Sequence, residues 1–303
     1  MKRNLKVMKI VFLGTSAMVP TKERNHFSFY LKYKNEGILF DCGEGTQRQL
    51  RIAGIRPSKI TRIFISHFHG DHILGLPGLF QTLAAANYNG TLKIYGPPGL
   101  KKVIEKILDL FVFDKSLKIE VNEIEKSKFL ETTDFEVFAY SLEHNITCFG
   151  YKFVEKNKKR VNMTKANKLG LKEGPLIGKL QQNKSVEVNG KKILPSQVTY
   201  KVKGKIIGFI SDTTLTDNCY EIAKNADLLV SEATHTSKDK EKAKEFKHFT
   251  SKEAAIVAKE AGAKKLVLTH FSQRYKEAQP LLEDAKKMFE NVTAAQDFME
   301  IKI

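Results

Sequence analysis

Cysteine is scarce in this chain. Its scarcity argues against a fold held together by disulfides or by a zinc ion bound to thiolates. The 303 residues contain three cysteines, Cys42, Cys148 and Cys219, which stand far apart in the sequence. Such spacing builds neither a disulfide framework nor a thiolate zinc site, and it is typical of proteins in a reducing compartment. We therefore expect a cytoplasmic localisation.

Long apolar runs are also missing. No stretch reaches the roughly 20 apolar residues that a membrane-spanning helix requires, and the apolar run after the basic N-terminus is too short for a signal peptide. We therefore expect no membrane partner. The apolar fraction of 42% is ordinary for a globular protein, and 303 residues suffice for one large domain or two small ones.

Acidic residues are outnumbered by basic ones. The chain has 51 lysines and arginines against 34 aspartates and glutamates, a formal net charge of +17. This surplus favours a polyanionic partner, because each phosphate that a basic side chain contacts releases condensed counterions. A lysine-rich protein without a specific partner has the same composition, so charge alone leaves the partner open.

Only eight histidines are present, but three fall in residues 66–72, which read Ser-His-Phe-His-Gly-Asp-His. Residues 62–66 are mostly apolar and predict a buried strand, so the ligand-type side chains follow at its end. Nitrogen and oxygen ligands at this density suit zinc, and so short a loop serves two ions more easily than one. Alternatively, His69 and His72 share one helix face without metal. The candidate ligands are His67, His69, Asp71 and His72.

Three more ligand-type residues follow strand-like runs elsewhere in the chain. His144 follows the alternating run Phe135–Leu142, Asp212 follows the apolar residues 206–211, and His270 follows residues 265–269. Each of these alone is simply explained as a turn residue or a helix cap. Together with the first cluster, they predict that distant strand ends supply the remaining ligands of a two-metal site.

The metal loop resembles that of the metallo-β-lactamase superfamily, and further segments resemble the ribonuclease Z family, which trims the 3′ trailer from precursor tRNA. The matching segments are residues 12–16, 40–47, 66–72, 211–213, 231–235 and 269–275. They run nearly end to end, and the chain length suits the short form of the enzyme. The resemblance implies an α/β fold, an αβ/βα sandwich of two mixed sheets with outer helices, as one metallo-β-lactamase domain over residues 1–303.

The resemblance also implies roles for individual residues. It implies two zinc ions per subunit, with Asp212 bridging them, and a homodimer. Asp41 would orient a ligand histidine, Asp71 would accept a proton from the attacking water, and His248, oriented by Glu232, would protonate the leaving 3′-oxygen. The expected products are a tRNA with a 3′-hydroxyl and a trailer with a 5′-phosphate. One ion is assigned to His67, His69 and His144, and the other to Asp71, His72 and His270.

Residues 151–205 differ in character from the rest. They are rich in lysine and glycine, poor in acids, and contain only scattered apolar residues. We expect such a segment to bury little surface and therefore to project or stay mobile. The resemblance implies a protruding, flexible exosite arm at residues 152–205, containing Gly174 and Pro175, that grips the phosphate backbone of precursor tRNA. The alternative is a solvated insertion without function.

Two other classes of function remain as alternatives. A small-molecule hydrolase of the same superfamily, such as a thioesterase or lactonase, needs neither a basic arm nor the Glu232–His248 pair. A non-catalytic RNA-binding module would tolerate the loss of ligands, yet all are present.

Further expectations concern local structure and the remaining polar residues. We expect strands at residues 9–14, 26–33 and 37–42, helices at residues 75–86 and 100–113, and a capping box from Thr250 to Glu253. His235 is expected to lie at the surface, because polar residues follow it. His26, Arg274 and Tyr275 are candidates for holding a phosphate or a base.

Overall fold

The computed structural model describes residues 8–112, 116–125 and 127–303. The chain divides into two compact units, which are described separately below. The first comprises Met1–Leu130, Val137–Phe153 and Ile206–Ile303, and the second comprises Glu131–Glu136 and Val154–Lys205. Within the described ranges, no helix combines the length and the apolar character needed to cross a bilayer.

Strands and helices alternate along most of the chain, as an α/β fold requires. The strands are β1 (Lys9–Gly14), β2 (Ser28–Tyr33), β3 (Glu36–Phe40), β4 (Arg62–Phe64), β5 (Thr91–Gly96), β6 (Lys118–Glu123), β7 (Lys128–Glu131), β8 (Phe135–Leu142), β9 (Cys148–Glu155), β10 (Lys158–Val161), β11 (Val186–Val188), β12 (Lys191–Ile193), β13 (Thr199–Val202), β14 (Ile206–Ile210), β15 (Leu228–Glu232), β16 (Leu266–Thr269), β17 (Val292–Ala294) and β18 (Glu300–Lys302).

The α-helices are mostly short, and two 3₁₀ turns, Pro57–Lys59 and Ser237–Asp239, accompany them. They are α1 (Thr46–Ile52), α2 (Gly70–Ile73), α3 (Leu76–Ala85), α4 (Leu100–Leu110), α5 (Met163–Lys168), α6 (Pro175–Gln181), α7 (Pro195–Val198), α8 (Asp217–Ala223), α9 (Lys240–Glu245), α10 (Ser251–Glu260) and α11 (Gln279–Lys286).

Two seven-stranded mixed sheets form a sandwich, as expected. One has the order β18-β1-β2-β3-β4-β5-β6, and the other β17-β16-β15-β14-β9-β8-β7. Phe29 of the first sheet and Phe209 of the second pack edge to face with ring centroids 5.3 Å apart, and Phe40 lies 5.9 Å from Phe209. This aromatic layer joins the inner faces of the sheets, because aromatic rings bury large apolar areas.

Each sheet is covered by helices on its outer side. An apolar cluster that includes Leu39, Leu50 and Leu79 lies under α1, α3 and α4, and another that includes Leu229, Val257 and Leu281 lies under α8, α10 and α11. Strands β14, β15, β16 and β17 pair in parallel, as β3, β4, β5 and β6 do. Parallel strands end at one edge of a sheet, and ligands bind outside such carboxyl ends.

Most local predictions are confirmed, with small shifts at the boundaries. β1 covers the predicted residues 9–14, and Thr250 and Glu253 exchange the two hydrogen bonds of a capping box, 2.9 and 3.2 Å long. The helix predicted to reach Phe113 ends at Leu110, so the prediction is wrong for residues 111 and 112. Phe113 itself lies outside the described residues.

The second unit has an apolar core of its own, so the expectation that this segment buries little surface is wrong. Its core packs short elements, α5 to α7 and two two-stranded sheets, β10 with β13 and β11 with β12. Residues 151–153 belong to β9, where Tyr151 and Phe153 are fully buried, so the longer segment of the unit starts at Val154, two residues after the predicted boundary at 152. The core residues are Ala166, Leu171, Leu180, Val186, Ile193 and Val198.

Candidate active site

Asp41 organises the turn that carries the predicted metal loop. It follows β3 in the left-handed region, with a φ of 57°, a conformation that most side chains avoid. Its carboxylate accepts hydrogen bonds from the Ser66 backbone N–H at 2.7 Å and the Ser66 hydroxyl at 2.8 Å. Nδ1 of His72 lies 2.8 Å from the same carboxylate, so Nδ1 carries the proton and Nε2 is free to bind a metal.

One group of candidate ligands gathers at the end of β4. Its nitrogen and oxygen atoms all lie within 4.8 Å of one another, in His67, His69, His144 and Asp212. His69 Nδ1 lies 3.1 Å from His67 Nε2 and 3.2 Å from His144 Nε2. Asp212 Oδ2 lies 3.6 Å from His67 Nε2 and 3.9 Å from His144 Nε2. Three segments far apart in the sequence therefore converge on one point.

A second group lies beside the first and contains Asp71, His72 and His270. Asp71 Oδ2 lies 3.4 Å from His72 Nε2 and 3.3 Å from His270 Nε2, and these two nitrogens are 3.2 Å apart. His270 has a φ of 58°, a second strained backbone conformation at the site. Asp212 lies between the groups, because its carboxylate oxygens are 3.5 Å from His72 Nε2 and 3.3 Å from His270 Nδ1.

The donor set and its spacing fit two metal ions. Two ligands that bind one tetrahedral ion at about 2.0–2.2 Å stand roughly 3.3–3.6 Å apart, close to the separations in both groups. Asp212 Oδ1 is buried and makes no hydrogen bond with the described residues, which leaves a lone pair for a cation. Histidine nitrogens with carboxylate oxygens are typical ligands of zinc. The groups are therefore consistent with a binuclear metal site.

The protonation states of His67 and Asp212 suit metal binding. Burial, reinforced by the nearby His72 ring, holds the pKa of His67 well below its ordinary value, so this imidazole stays neutral. Burial alone raises the pKa of Asp212, but His270 and His72 outweigh burial and hold that pKa well below its ordinary value. Ligands must be deprotonated to bind a cation, and both residues meet that condition.

His248 and Glu232 form the predicted pair at the edge of the ligand groups. Nδ1 of His248 lies 3.1 Å from Glu232 Oε2, and Glu232 is held by the Thr213 N–H at 2.7 Å and the Thr234 hydroxyl at 2.6 Å. Burial lowers the pKa of His248, but the carboxylates of Glu232 and Asp212 outweigh it and raise the pKa to about 9. His248 is therefore an imidazolium at neutral pH, ready to donate a proton.

A third group of ligand-type residues overlaps this pair. The sequence predicted the pair but not the group. Atoms of Asp212, Glu232, His248 and His270 also lie within 4.8 Å of one another. His248 Nδ1 is 3.9 Å from Asp212 Oδ2, farther than its contact with Glu232. The proton donor predicted from sequence therefore stands directly beside the predicted bridging ligand.

The site opens into a cavity of about 460 Å³. The exposed side chains Met18 and Phe246 contribute apolar walls, and the Met18 N–H donates a 2.8 Å hydrogen bond to Asp71 Oδ2. The lining residues are Ala17, Met18, Val19, His69, Asp71, His144, Asn145, Asp212, Thr234, His235, Lys242, Phe246, His248, His270, Ser272, Gln273 and Arg274.

The remaining predicted residues have mixed outcomes. The expectation that His235 lies at the surface is wrong, because the side chain is only 4% exposed and lines the cavity. Its position directly after the Glu232 segment could have indicated a place near the site, but the polar residues that follow it favoured a surface position. His26 is buried, with Nε2 3.1 Å from the Met18 carbonyl. Arg274 lines the cavity 3.5 Å from Asp239, whereas the Tyr275 hydroxyl is already bonded to Asp239.

The chain is similar to known proteins over nearly its whole length. The family model described as "Anti-Pycsar protein Apyc1" matches residues 8–164. A ribonuclease Z of Methanothermobacter thermautotrophicus is 41% identical over 298 residues, covering 98% of this chain and 97% of that protein. A ribonuclease Z of Listeria welshimeri is 41% identical over 304 residues, with 98% and 99% covered. The crystal structure of human tRNase Z, short form, superposes with a TM-score of 0.72 and 31% identity, covering 97% and 98% of the two chains.

Proposed function

Since the chain belongs to the ribonuclease Z family of tRNA 3′-processing endonucleases, we propose that its histidine–aspartate pocket holds two zinc ions and removes the 3′ trailer from precursor tRNA. One observation carries the proposal: six ligand-type residues from distant segments meet around a seventh, Asp212, beside a histidine positioned to donate a proton. Neither an RNA-binding module nor a thioesterase-like hydrolase requires that histidine–glutamate pair.

We assign the first ion to His67, His69 and His144, the second to Asp71, His72 and His270, and the bridging position to Asp212. When bound, two such ions supply Lewis-acid stabilisation of the charge that develops at the phosphodiester and activate a water as nucleophile. Asp41 then acts through His72, whose ring it fixes by the 2.8 Å contact with Nδ1.

Asp71 is the residue that we assign to receive the proton of the attacking water. Burial raises the pKa of its carboxyl, but His72 and His270 outweigh burial and hold the pKa below its ordinary value. Asp71 is therefore ionised at neutral pH and able to accept a hydrogen bond from water. The Met18 N–H fixes its Oδ2 at 2.8 Å, which keeps the carboxylate facing the cavity.

His248 donates a proton to the leaving 3′-oxygen of the tRNA body. Its Nδ1 is committed to Glu232, so Nε2 is the atom that donates. Glu232 is itself held by the backbone of Thr213 and the hydroxyl of Thr234, which prevents the carboxylate from turning away. The products are a tRNA ending in a 3′-hydroxyl and a trailer beginning with a 5′-phosphate.

In this proposal, the second unit binds precursor tRNA without regard to its base sequence. Residues 154–205 contain fourteen lysines and arginines against three glutamates. Basic side chains of this density bind the phosphate backbone and the shape of a folded RNA. We regard the unit as an insertion in a single metallo-β-lactamase domain, corresponding to the arm predicted at residues 152–205.

Assembly and compartment complete the proposal. We propose a homodimer, on the ground of family membership, and a cytoplasmic location. Cys42, Cys148 and Cys219 are all free and buried, and burial raises the pKa of each thiol. Free thiols of this kind suit a reducing compartment.

The deciding experiment is a cleavage assay with purified protein and a precursor tRNA, in which both product ends are mapped. We expect a single cut at the 3′ end of the tRNA body, lost with chelator and restored by added zinc. A mature tRNA without a trailer is the matched control and should remain intact. Chelator-resistant cleavage, or cuts within the tRNA body, would contradict the proposal.

A further inference from the structure

A second cavity, of about 830 Å³, lies at the end of the first sheet opposite the metal loop. Strand β3 starts at Glu36, which lines this cavity, and ends immediately before Asp41 of the metal site. The cavity therefore belongs to a different part of the surface, and no step of the proposed cleavage uses it. Besides Glu36, the lining residues that matter below are Lys9, Lys32, Ile55, Arg56, Lys59 and Lys302.

Three lysines stand side by side across adjacent strands in this cavity. In the register of the sheet, Lys9 of β1 pairs directly with Lys302 of β18 and with Lys32 of β2. Side chains directly opposite in antiparallel strands have Cβ atoms about 4.5–5.5 Å apart, and like charges at such positions repel. Glu300 offsets Lys9 through a 2.5 Å ion pair, but its single charge cannot balance all three ammonium groups. The row therefore favours a bound anion.

The lysine row is open because the covering helix ends early. Val11 and Tyr30 lie on the same sheet face as the row and are buried in the cluster that includes Leu50 of α1. Helix α1 stops at Ile52, and the chain then turns at Gly54, whose φ is 67°. The sheet face continues past the end of the helix, and a cavity is left above the lysines.

The opposite wall adds more positive charge and an apolar surface. Arg56 and Lys59 line the cavity beyond the turn, and Ile55 supplies apolar contact. Glu36 is the acidic residue of the lining, and its carboxylate already accepts hydrogen bonds from Arg62 and Thr61. Guanidinium and ammonium groups that converge in this way match the oxygens of phosphate groups.

We propose that this cavity is a binding site for a small anion that carries two or more phosphate groups. Its volume falls in the range of about 300–1,000 Å³ that is usual for small-ligand pockets. A concave shape with an apolar wall suits a compact ligand better than an extended RNA backbone, which tracks along open basic grooves. Inorganic polyphosphate and nucleoside polyphosphates share this chemistry.

The test is calorimetric titration of the full-length, metal-loaded protein with sodium tripolyphosphate and, separately, with ATP. We expect saturable binding of one equivalent, weakened about tenfold or more by Lys32→Glu and by Arg56→Glu because each reverses a charge in the wall. Lys286→Glu is the matched control, since it makes the same charge change at an exposed residue of α11 outside the lining. Thermal midpoints verify that each variant is folded.

The outcomes distinguish which ligand the cavity recognises and whether it binds there. Equal affinity for tripolyphosphate and ATP means that phosphates alone are recognised, and tighter binding of ATP means that the apolar wall contacts the nucleoside. The proposal is overturned if neither ligand binds, or if both variants bind like the Lys286→Glu control. Binding that is insensitive to the variants but lost on metal removal would belong to the metal centre. A single-stranded RNA oligonucleotide that binds and loses affinity in the variants, while tripolyphosphate and ATP do not bind, would make the cavity a nucleic-acid contact instead.

Discussion

Replacing Asp41 with asparagine should weaken metal binding without removing any metal ligand. The carboxylate of Asp41 is fully buried and accepts three hydrogen bonds, two from Ser66 and one from His72. In Asp41→Asn, the amide oxygen can keep the Ser66 N–H, and the Ser66 hydroxyl can rotate to accept from the new NH₂ group. The hydrogen bond to His72 cannot be kept, because the new NH₂ group and the protonated Nδ1 of His72 are both donors.

The expected magnitude follows from that single contact. A hydrogen bond to a charged partner contributes about 1.5–3 kcal/mol. Losing it at His72 corresponds to a roughly tenfold to hundredfold loss of metal affinity, the usual range for residues that orient a metal-binding histidine. The affinity is measured by competition with a chelator of known strength, and cleavage of precursor tRNA at limiting zinc should fall in parallel.

Asp284→Asn provides the matched control. Asp284 is also a buried carboxylate that accepts hydrogen bonds from serines, from Ser237 at 2.7 and 2.8 Å and from Ser251 at 3.0 Å, but no ligand histidine contacts it. This control should lower the thermal midpoint and leave metal affinity near wild type. If Asp41→Asn bound metal as tightly as wild type, or if both variants lost affinity equally, the orienting role of Asp41 would be refuted.

Four further predictions follow. His248→Ala should lower cleavage by about 10²–10⁴-fold while zinc content stays near wild type; loss of zinc would instead make His248 a ligand. The cleavage rate should decline as pH rises through about 9, where His248 loses its proton. Glu232→Gln should move this decline to lower pH, because it removes the negative charge that raises the pKa of His248. An unchanged pH–rate profile in that variant would contradict the role of the Glu232–His248 pair in proton donation. Replacing residues 156–203 with a short linker should weaken precursor tRNA binding about tenfold or more but spare hydrolysis of a small phosphodiester; equal loss of both activities would contradict the binding role. Leu180→Ala should cost the second unit about 2–5 kcal/mol and speed proteolysis within residues 154–205; unchanged proteolysis would mean that the buried leucine contributes little.

The convergence of the candidate ligands was predictable because it obeys a rule about strand ends. Asp212 and His270 each follow a run of apolar residues, and parallel neighbours such as β14, β15 and β16 end at one edge. The arrangement of the ligands into groups was not predictable in this way, since it depends on how one sheet faces the other. His270 is an example. Its strained φ of 58° sets the direction of the ring, but neither composition nor periodicity predicts that backbone conformation.

Two errors share a physical cause, which is burial produced by tertiary packing rather than by local pattern. His235 precedes a polar stretch, yet its backbone N–H bonds to the Phe249 carbonyl and the next N–H bonds to the Tyr275 hydroxyl, so distant residues enclose it. In the second unit, Leu171 lies outside any helix or strand and Leu180 sits in a helix of seven residues, because the core is assembled from several short elements. Periodicity reveals a core only where one element is long enough to display a face.

In the second unit, hydrogen bonds join the two ends of residues 154–205, and this closure has a consequence for how the segment can be changed. The Glu155 N–H donates a 2.8 Å hydrogen bond to the Lys205 carbonyl, and the Gly204 N–H donates one of 3.0 Å to the Asn157 side chain. The chain thus leaves and returns at adjacent points, and the segment between them is a closed excursion with its own interior. Lengthening, trimming or exchanging such an excursion therefore need not alter the register of β9 or β14.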